Sequence, residues 1–297
     1  MFGGRTPRRP LSKPVLSIII GVFLLATAVG VTTVNAEPPP SLELNTVLMN
    51  ATFKLEGDGS TGTAFVIGRP TADDPTRAYF VLVTAAHVFT AMRGDHASII
   101  LRSRDQAGRF VRRPYPIQIR SEGKALWTTH PTADVAVMYV RMPQDAAVEL
   151  LPVAMFATDS VLEQFEVHPG DTLSCLGFPY GFEANAAGFP VLRSGHIAGY
   201  PITPSESIKS ILFDFNVFEG NSGGPVYFAE SNRNYAGGTH IGKIQFLVGL
   251  VSEQAFLDEE IRSLSETRKT RHALGLGVVV PAVFIVQAIA LLPAVPK

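Results

Sequence analysis

From residue 42 to residue 251 no long stretch repeats its apolar residues at helical spacing. Short apolar runs, rich in Val, Ile and Phe, alternate instead with Gly, Pro, Asp and Asn. β-Branched and aromatic side chains suit a pleated surface, and the punctuating residues suit turns. Strands are expected at 63–67, 79–83, 98–102, 117–120, 135–140, 173–176, 191–194, 211–215, 225–228, 244–251 and 277–280. So many short strands with turn signals restrict the chain to an all-β sandwich or barrel. The stretch 142–151, which contains Pro143-Gln144-Asp145, interrupts the strands and splits the chain into parts of similar size. Two late helices are expected, at 253–271 a charged surface helix or a loop containing one, and at 281–292 an apolar helix. The second opens on Pro281, which suits a first helical turn, and is too short to span a membrane.

With 46% hydrophobic residues among 297, the chain can bury a sizeable core. Its 25 basic and 26 acidic side chains are nearly balanced, which argues against a dedicated nucleic-acid binder. The single cysteine, Cys175, can form no internal disulfide, and its apolar strand-like setting reads as a buried inert thiol. No Cys or His spacing suggests a metal site, and no cofactor is implied.

Residues 1–13 carry Arg5, Arg8, Arg9 and Lys13 and no acid, and residues 15–31 are apolar apart from small polar side chains. Val34-Asn35-Ala36 then offers the small residues that a signal peptidase reads. A basic, then apolar, then cleavable layout is that of a secretory signal, with the cut expected after Ala36. The alternative is a retained membrane anchor, since the apolar run falls only just short of the ~20 residues of a spanning helix. The organisation expected is therefore a signal at 1–36, a linker at 37–44 containing Pro38-Pro39-Pro40, and one folded unit at 45–293. The protein is expected outside the cytoplasm, periplasmic or secreted, with membrane contact only if 15–31 is kept.

Three stretches carry chemistry. Ser222 lies in Gly220-Asn221-Ser222-Gly223-Gly224-Pro225, where glycines let the backbone approach a ligand and turn successive N–H groups onto one oxygen. His87 ends the run Val83-Thr84-Ala85-Ala86-His87, which leaves an imidazole at a strand end. Asp134 leads directly into Val135-Ala136-Val137, where a carboxylate is costly unless partnered. Amide hydrolysis by serine needs a base, a carboxylate to orient the base, and donors for the oxyanion. His87, Asp134 and Ser222 supply the first two and the nucleophile.

These stretches resemble the trypsin-like (chymotrypsin-fold) serine peptidases, nearest their bacterial HtrA-like branch without a peptide-binding PDZ module. The order His87, Asp134, Ser222 is that of chymotrypsin rather than of subtilisin. Gly62-Thr63-Ala64-Phe65, Leu176-Gly177-Phe178-Pro179 and Gly249-Leu250-Val251-Ser252 match further stretches of the family. The resemblance implies two packed six-stranded antiparallel barrels, about 45–145 and 152–280, and a C-terminal helix at about 281–292. It implies a serine endopeptidase acting on proteins or peptides through an acyl-enzyme, with oligomeric state open. The N–H groups of Gly220 and Ser222 would be the oxyanion donors, Gly220 being glycine so that nothing crowds the approaching carbonyl. Asn216, Leu250, Ser252 and Glu253 would bind substrate. With Asn216 at the base of the side-chain pocket, a neutral or medium-sized apolar residue is expected before the scissile bond. Asn221 stands where pancreatic zymogens carry the Asp that pairs with a new N-terminus, so no such maturation switch is expected. The alternative function is a catalytically inert, protease-like binding or scaffold domain. His196 could approach a substrate, although a surface or core role is the plainer reading.

Overall fold

The computed structural model describes Met1 and residues 43–71, 78–262 and 266–293. The expected signal and nearly all of the expected linker lie outside the described residues. The last two linker positions, 43 and 44, are not extended. Glu43 accepts from the Thr46 N–H at 3.0 Å and so caps helix α1 (Leu44–Ala51). Leu44, Val47, Leu48 and Ala51 recur at helical spacing and are buried, which docks α1 on the first half of the molecule.

That half is built from β1 (Thr52–Gly57), β2 (Ser60–Pro70), β3 (Ala78–Thr84), β4 (His96–Arg104) and β5 (Phe110–Gln118). The short strands β6 (Arg120–Ser121), β7 (Lys124–Ala125), β8 (Thr128–Thr129), β9 (Ala136–Tyr139) and β10 (Leu151–Pro152) complete it. The pairing order is β5-β4-β1-β2-β3-β9-β8, with β10 added parallel to β2. Eight strands therefore share this sheet where six were expected, and its path is open. The chain leaves the sheet after β5, and Glu122-Gly123, both at positive φ, fold β6 onto β7 as a separate hairpin. The turn Asp58-Gly59 has φ of +51° and +76° and joins β1 to β2 directly, the two-residue hairpin that Asp-Gly favours. Helix α2 (Ala86–Ala91) begins immediately after β3.

The second half contains α3 (Asp159–Gln164), β11 (Thr172–Gly177), β12 (Val191–Ile197), α4 (Ser205–Ile208) and β13 (Ile211–Asp214). It ends with β14 (Pro225–Tyr235), β15 (Gly238–Arg262), β16 (Thr267–Pro281) and helix α5 (Ala282–Ala290). Its six strands close into a barrel in the order β11-β12-β13-β16-β15-β14. The fold is thus all-β and chymotrypsin-like with a C-terminal helix. Helix α5 returns to the first half, where Phe284, Ile285 and Ala288 join the core around Val135 and Val137. Among the described residues no helix is long and apolar enough to cross a membrane.

One expected element is different in kind. The described residues of 253–271 form no helix but the outer parts of β15 and β16, paired from Phe256↔Ala273 to Arg262↔Thr267. Arg262 apart, acids sit on β15 and bases on β16, so that Asp258 meets Arg271 and Glu259 meets His272, each at 2.9 Å. Opposite charges facing each other across two strands stabilise the pair, and no single helix could satisfy them in this way. Cys175 is buried as expected, and burial pushes its thiol up to about 12.

Candidate active site

His87 enters the site because β3 stops at Thr84 and Ala85 turns the chain into α2. Its ring is half exposed, and its Nδ1 lies 2.7 Å from Asp134 Oδ2. The His87 backbone N–H donates to Asp134 Oδ1 at 3.0 Å, so carboxylate and imidazole are held in register by two contacts. The Ser252 hydroxyl also donates to Asp134 Oδ2, at 2.6 Å. Burial alone would raise the Asp134 carboxyl, but the hydrogen bonds from His87 and Ser252 and the attraction of His87 outweigh it, lowering the carboxyl to about 2.

The turn that presents Asp134 is built on His130, a residue that carries no motif. His130 Nδ1 accepts from the Thr132 and Ala133 N–H groups at 3.2 and 3.0 Å. Its proton therefore sits on Nε2 and is donated to Gln287 Oε1 of α5, 2.8 Å away. The C-terminal helix thus buttresses the acid from behind.

Ser222 sits in the loop before β14. Its carbonyl accepts from the Thr63 N–H at 2.9 Å, and the neighbouring Gly223 N–H donates to Val251 O at 2.7 Å. Its hydroxyl donates to the Ser252 carbonyl at 2.8 Å. Among the described residues no hydrogen bond joins Ser222 to His87, although both line one cavity. That cavity, about 480 Å³, is bounded by His87, Asp134 and Ser222 together with Val217, Phe218, Glu219, Ser252, Glu253, Gln254 and Phe256.

Each carbonyl from Phe218 to Ser222 accepts a hydrogen bond from the protein. Phe218 O accepts from Asn221 N at 3.0 Å, Glu219 O from Tyr180 N at 2.6 Å, and Asn221 O from Gly224 N at 3.0 Å. Gly220 O accepts from the Thr63 hydroxyl at 2.6 Å. In a planar trans peptide the N–H opposes the C=O, so anchoring these oxygens aims the Gly220 and Ser222 N–H groups the other way. Neither N–H has a protein acceptor among the described residues. The reason for glycine at 220 differs from the expected one. Its φ is +92°, and a Cβ there would lie 2.2 Å from Phe178 O, so the clash is with the protein's own backbone before any substrate arrives.

Two of the four expected substrate-binding residues are elsewhere. Leu250 is fully buried in the core, because its strand position turns it inward. Asn216 does not line the cavity, and its carbonyl is taken by Arg193 at 2.9 Å. Ser252 and Glu253 do line it. The preference inferred from Asn216 therefore loses its basis. His196 lies on β12, outside this cavity. Val217, Phe218, Glu219, Gln254 and Phe256 are the lining residues that sequence reasoning missed, although Phe218 and Glu219 stand just before Gly220 and Gln254 just after Glu253.

A chymotrypsin-like fold whose histidine, aspartate and serine face one cavity is the arrangement of the chymotrypsin-like peptidase class. The chain belongs to the trypsin-like peptidase domain family, whose model matches residues 60–233. Among solved structures it is similar to an inactive form of the Rv3671c protease, at 18% identity and a TM-score of 0.43, covering 87% of this chain and 98% of that one. A mutant of Rv3671c from M. tuberculosis H37Rv, also in an inactive form, gives 16% identity and a TM-score of 0.44, covering 88% and 98%. The human heparin binding protein gives 10% identity and a TM-score of 0.46, covering 84% and 95%. No curated protein matches the chain in sequence.

Proposed function

We propose that the protein is a serine endopeptidase in which Ser222 is the nucleophile, His87 the general base and Asp134 the carboxylate that orients it. The observation that carries this reading is that the three side chains line one cavity while Asp134 holds His87 Nδ1 at 2.7 Å. With Nδ1–H donated to the carboxylate, Nε2 is left as the lone pair facing the cavity, the tautomer a base requires. Rotation of the Ser222 hydroxyl off the Ser252 carbonyl brings it toward that nitrogen. Attack on a peptide carbonyl then passes the hydroxyl proton to His87 and places the developing oxyanion against the Gly220 and Ser222 N–H groups. His87 returns the proton to the leaving amine, and water, deprotonated by the same ring, releases the acyl group from Ser222.

The substrates are proteins or peptides met outside the cytoplasm, as the basic and apolar residues 1–36 propose. Sequencing the N-terminus of the exported protein distinguishes a cut after Ala36 from a retained anchor. The catalytic reading is tested by a fluorophosphonate probe and a panel of peptide amides. Wild-type protein is labelled and turns over, and Ser222→Ala does neither. Absence of both labelling and hydrolysis by the wild type would favour the inert binding domain.

A further inference from the structure

The loop that carries the oxyanion donors has no buried charge to lock it, its one charged residue, Glu219, being exposed at the cavity. Asn221 is buried, its side-chain nitrogen has no partner among the described residues, and it bears no charge that an ion pair could use. The loop is instead held from the first half of the molecule, and four contacts converge on one residue. Thr63, on β2, is fully buried and does not line the cavity of His87 and Ser222. Its N–H donates to Ser222 O at 2.9 Å, and its hydroxyl donates to Gly220 O at 2.6 Å. The same hydroxyl oxygen accepts from the Phe178 N–H at 3.2 Å. Its carbonyl accepts from the hydroxyl of Thr84, the last residue of β3, just upstream of His87, at 2.7 Å. One residue thus ties the strand leading to the base, the nucleophile loop, and the turn at 178–181.

That turn contacts the loop directly. Tyr180 takes a left-handed backbone (φ +52°, ψ +31°) and points its N–H at Glu219 O, 2.6 Å away. This fixes the peptide whose N–H belongs to Gly220. The turn is anchored in its turn by Lys54, the cross-strand partner of Thr63 on β1. Cross-strand partners share a face of the sheet, so both side chains reach the same segment. Lys54 Nζ donates to Gly181 O at 3.2 Å and pairs with Glu183 at 2.5 Å and Glu56 at 2.8 Å. A buried ammonium with three partners, two of them charged, is committed to one geometry.

We propose that Thr63 is a positioning residue: its hydroxyl fixes the Gly220–Asn221 peptide and its N–H the Ser222–Gly223 peptide, and with the Lys54-anchored 178–183 segment fixing the Glu219–Gly220 peptide through Tyr180, the backbone between them keeps the Gly220 and Ser222 N–H groups toward the cavity. The proposal rests on the peptidase reading and adds what replaces an ion pair in keeping the oxyanion site formed. Thr63 touches no substrate, so its loss acts on the transition state through Gly220 and leaves ground-state binding alone.

Thr63→Val keeps the shape of the side chain and removes the hydroxyl, and Thr63→Ser keeps the hydroxyl. Expected for Thr63→Val is a fall in kcat of about 10- to 100-fold, below the 10²–10³ of a deleted oxyanion donor, with KM within about twofold. Thr63→Ser restores kcat to within about threefold. Lys54→Met carries the same expectation of lowered kcat at unchanged KM, and it serves should Thr63→Val not fold. Unchanged kcat in Thr63→Val, or a Thr63→Ser protein no better than Thr63→Val, overturns the proposal. A crystal structure of Thr63→Val reads the same point without turnover, the Gly220–Asn221 peptide being rotated or displaced if the proposal holds and unmoved if it fails. Wild-type protein that neither labels nor hydrolyses would end the peptidase reading, while that structure would still decide whether the Thr63 hydroxyl sets the loop.

Discussion

The Ser222 hydroxyl rests on the backbone carbonyl of Ser252, 2.8 Å away, and the Ser252 hydroxyl holds Asp134 at 2.6 Å. A single residue of β15 therefore touches both ends of the serine–histidine–aspartate arrangement. Its carbonyl holds the Ser222 hydroxyl and its side chain holds Asp134. Removing the side chain leaves the carbonyl in place. Ser252→Ala is expected to lower kcat about tenfold, the value of one hydrogen bond to a charged group, with labelling of Ser222 retained. Steady-state kinetics with a peptide amide check this, and a loss as large as that of Asp134→Asn would contradict it.

Asp134→Asn keeps the shape of the contact and inverts its polarity, since an amide nitrogen would face the ring and stabilise the wrong tautomer. A fall of about 10⁴ in kcat is expected, and a loss under tenfold would remove Asp134 from its assigned role. The same carboxyl also has a pH signature. Its ordinary value of 3.8 is lowered to about 2 in the fold, so its stabilising contribution is complete above about pH 4 and is lost as pH falls through 2. Between pH 4 and 2 the wild-type melting temperature should therefore fall more steeply than that of Asp134→Asn, and parallel curves would contradict this.

Gly220→Ala should fail twice. The backbone at φ +92° strains any side chain, and the new methyl meets Phe178 O. A destabilisation on the order of 2 kcal/mol is expected in denaturant titration. Activity should fall further than stability explains, because relief of the clash turns the Gly220 N–H off its target.

The cavity holds three carboxylates, Asp134, Glu219 and Glu253, and neither Lys nor Arg lines it. Asp134 is engaged by His87 and Ser252, which leaves the two glutamates to set the charge met by a substrate. Peptides with a cationic residue near the scissile bond should be favoured at low salt. The double variant Glu219→Gln, Glu253→Gln should lower kcat/KM for such peptides about tenfold and leave neutral ones unchanged. A panel of peptide amides differing only in charge reads the outcome.

Much of the site was legible because its chemistry is written locally. A histidine after a strand and two alanines, an aspartate before an apolar strand and a serine among glycines each carry their backbone setting with them. What was not legible was contact between distant segments. Leu250 stood in a substrate-binding motif, yet its inward position on β15 puts it in the core. The run 253–271 looked like a charged surface helix, because the partners of its acids lie on the returning strand and appear only once the hairpin closes.

The sequence by itself determined the residue types of the chemistry, their order along the chain, the all-β class, and the apolar C-terminal helix. It could do so because turns, strands and glycine-rich loops depend on neighbours a few residues apart. Only the tertiary structure decided that Thr63 and Lys54 of the first half hold the nucleophile loop of the second, and that His130 and Gln287 support the turn carrying Asp134. Those hydrogen bonds join residues far apart in the chain, and their donors and acceptors acquire partners only when the two halves and the last helix pack together.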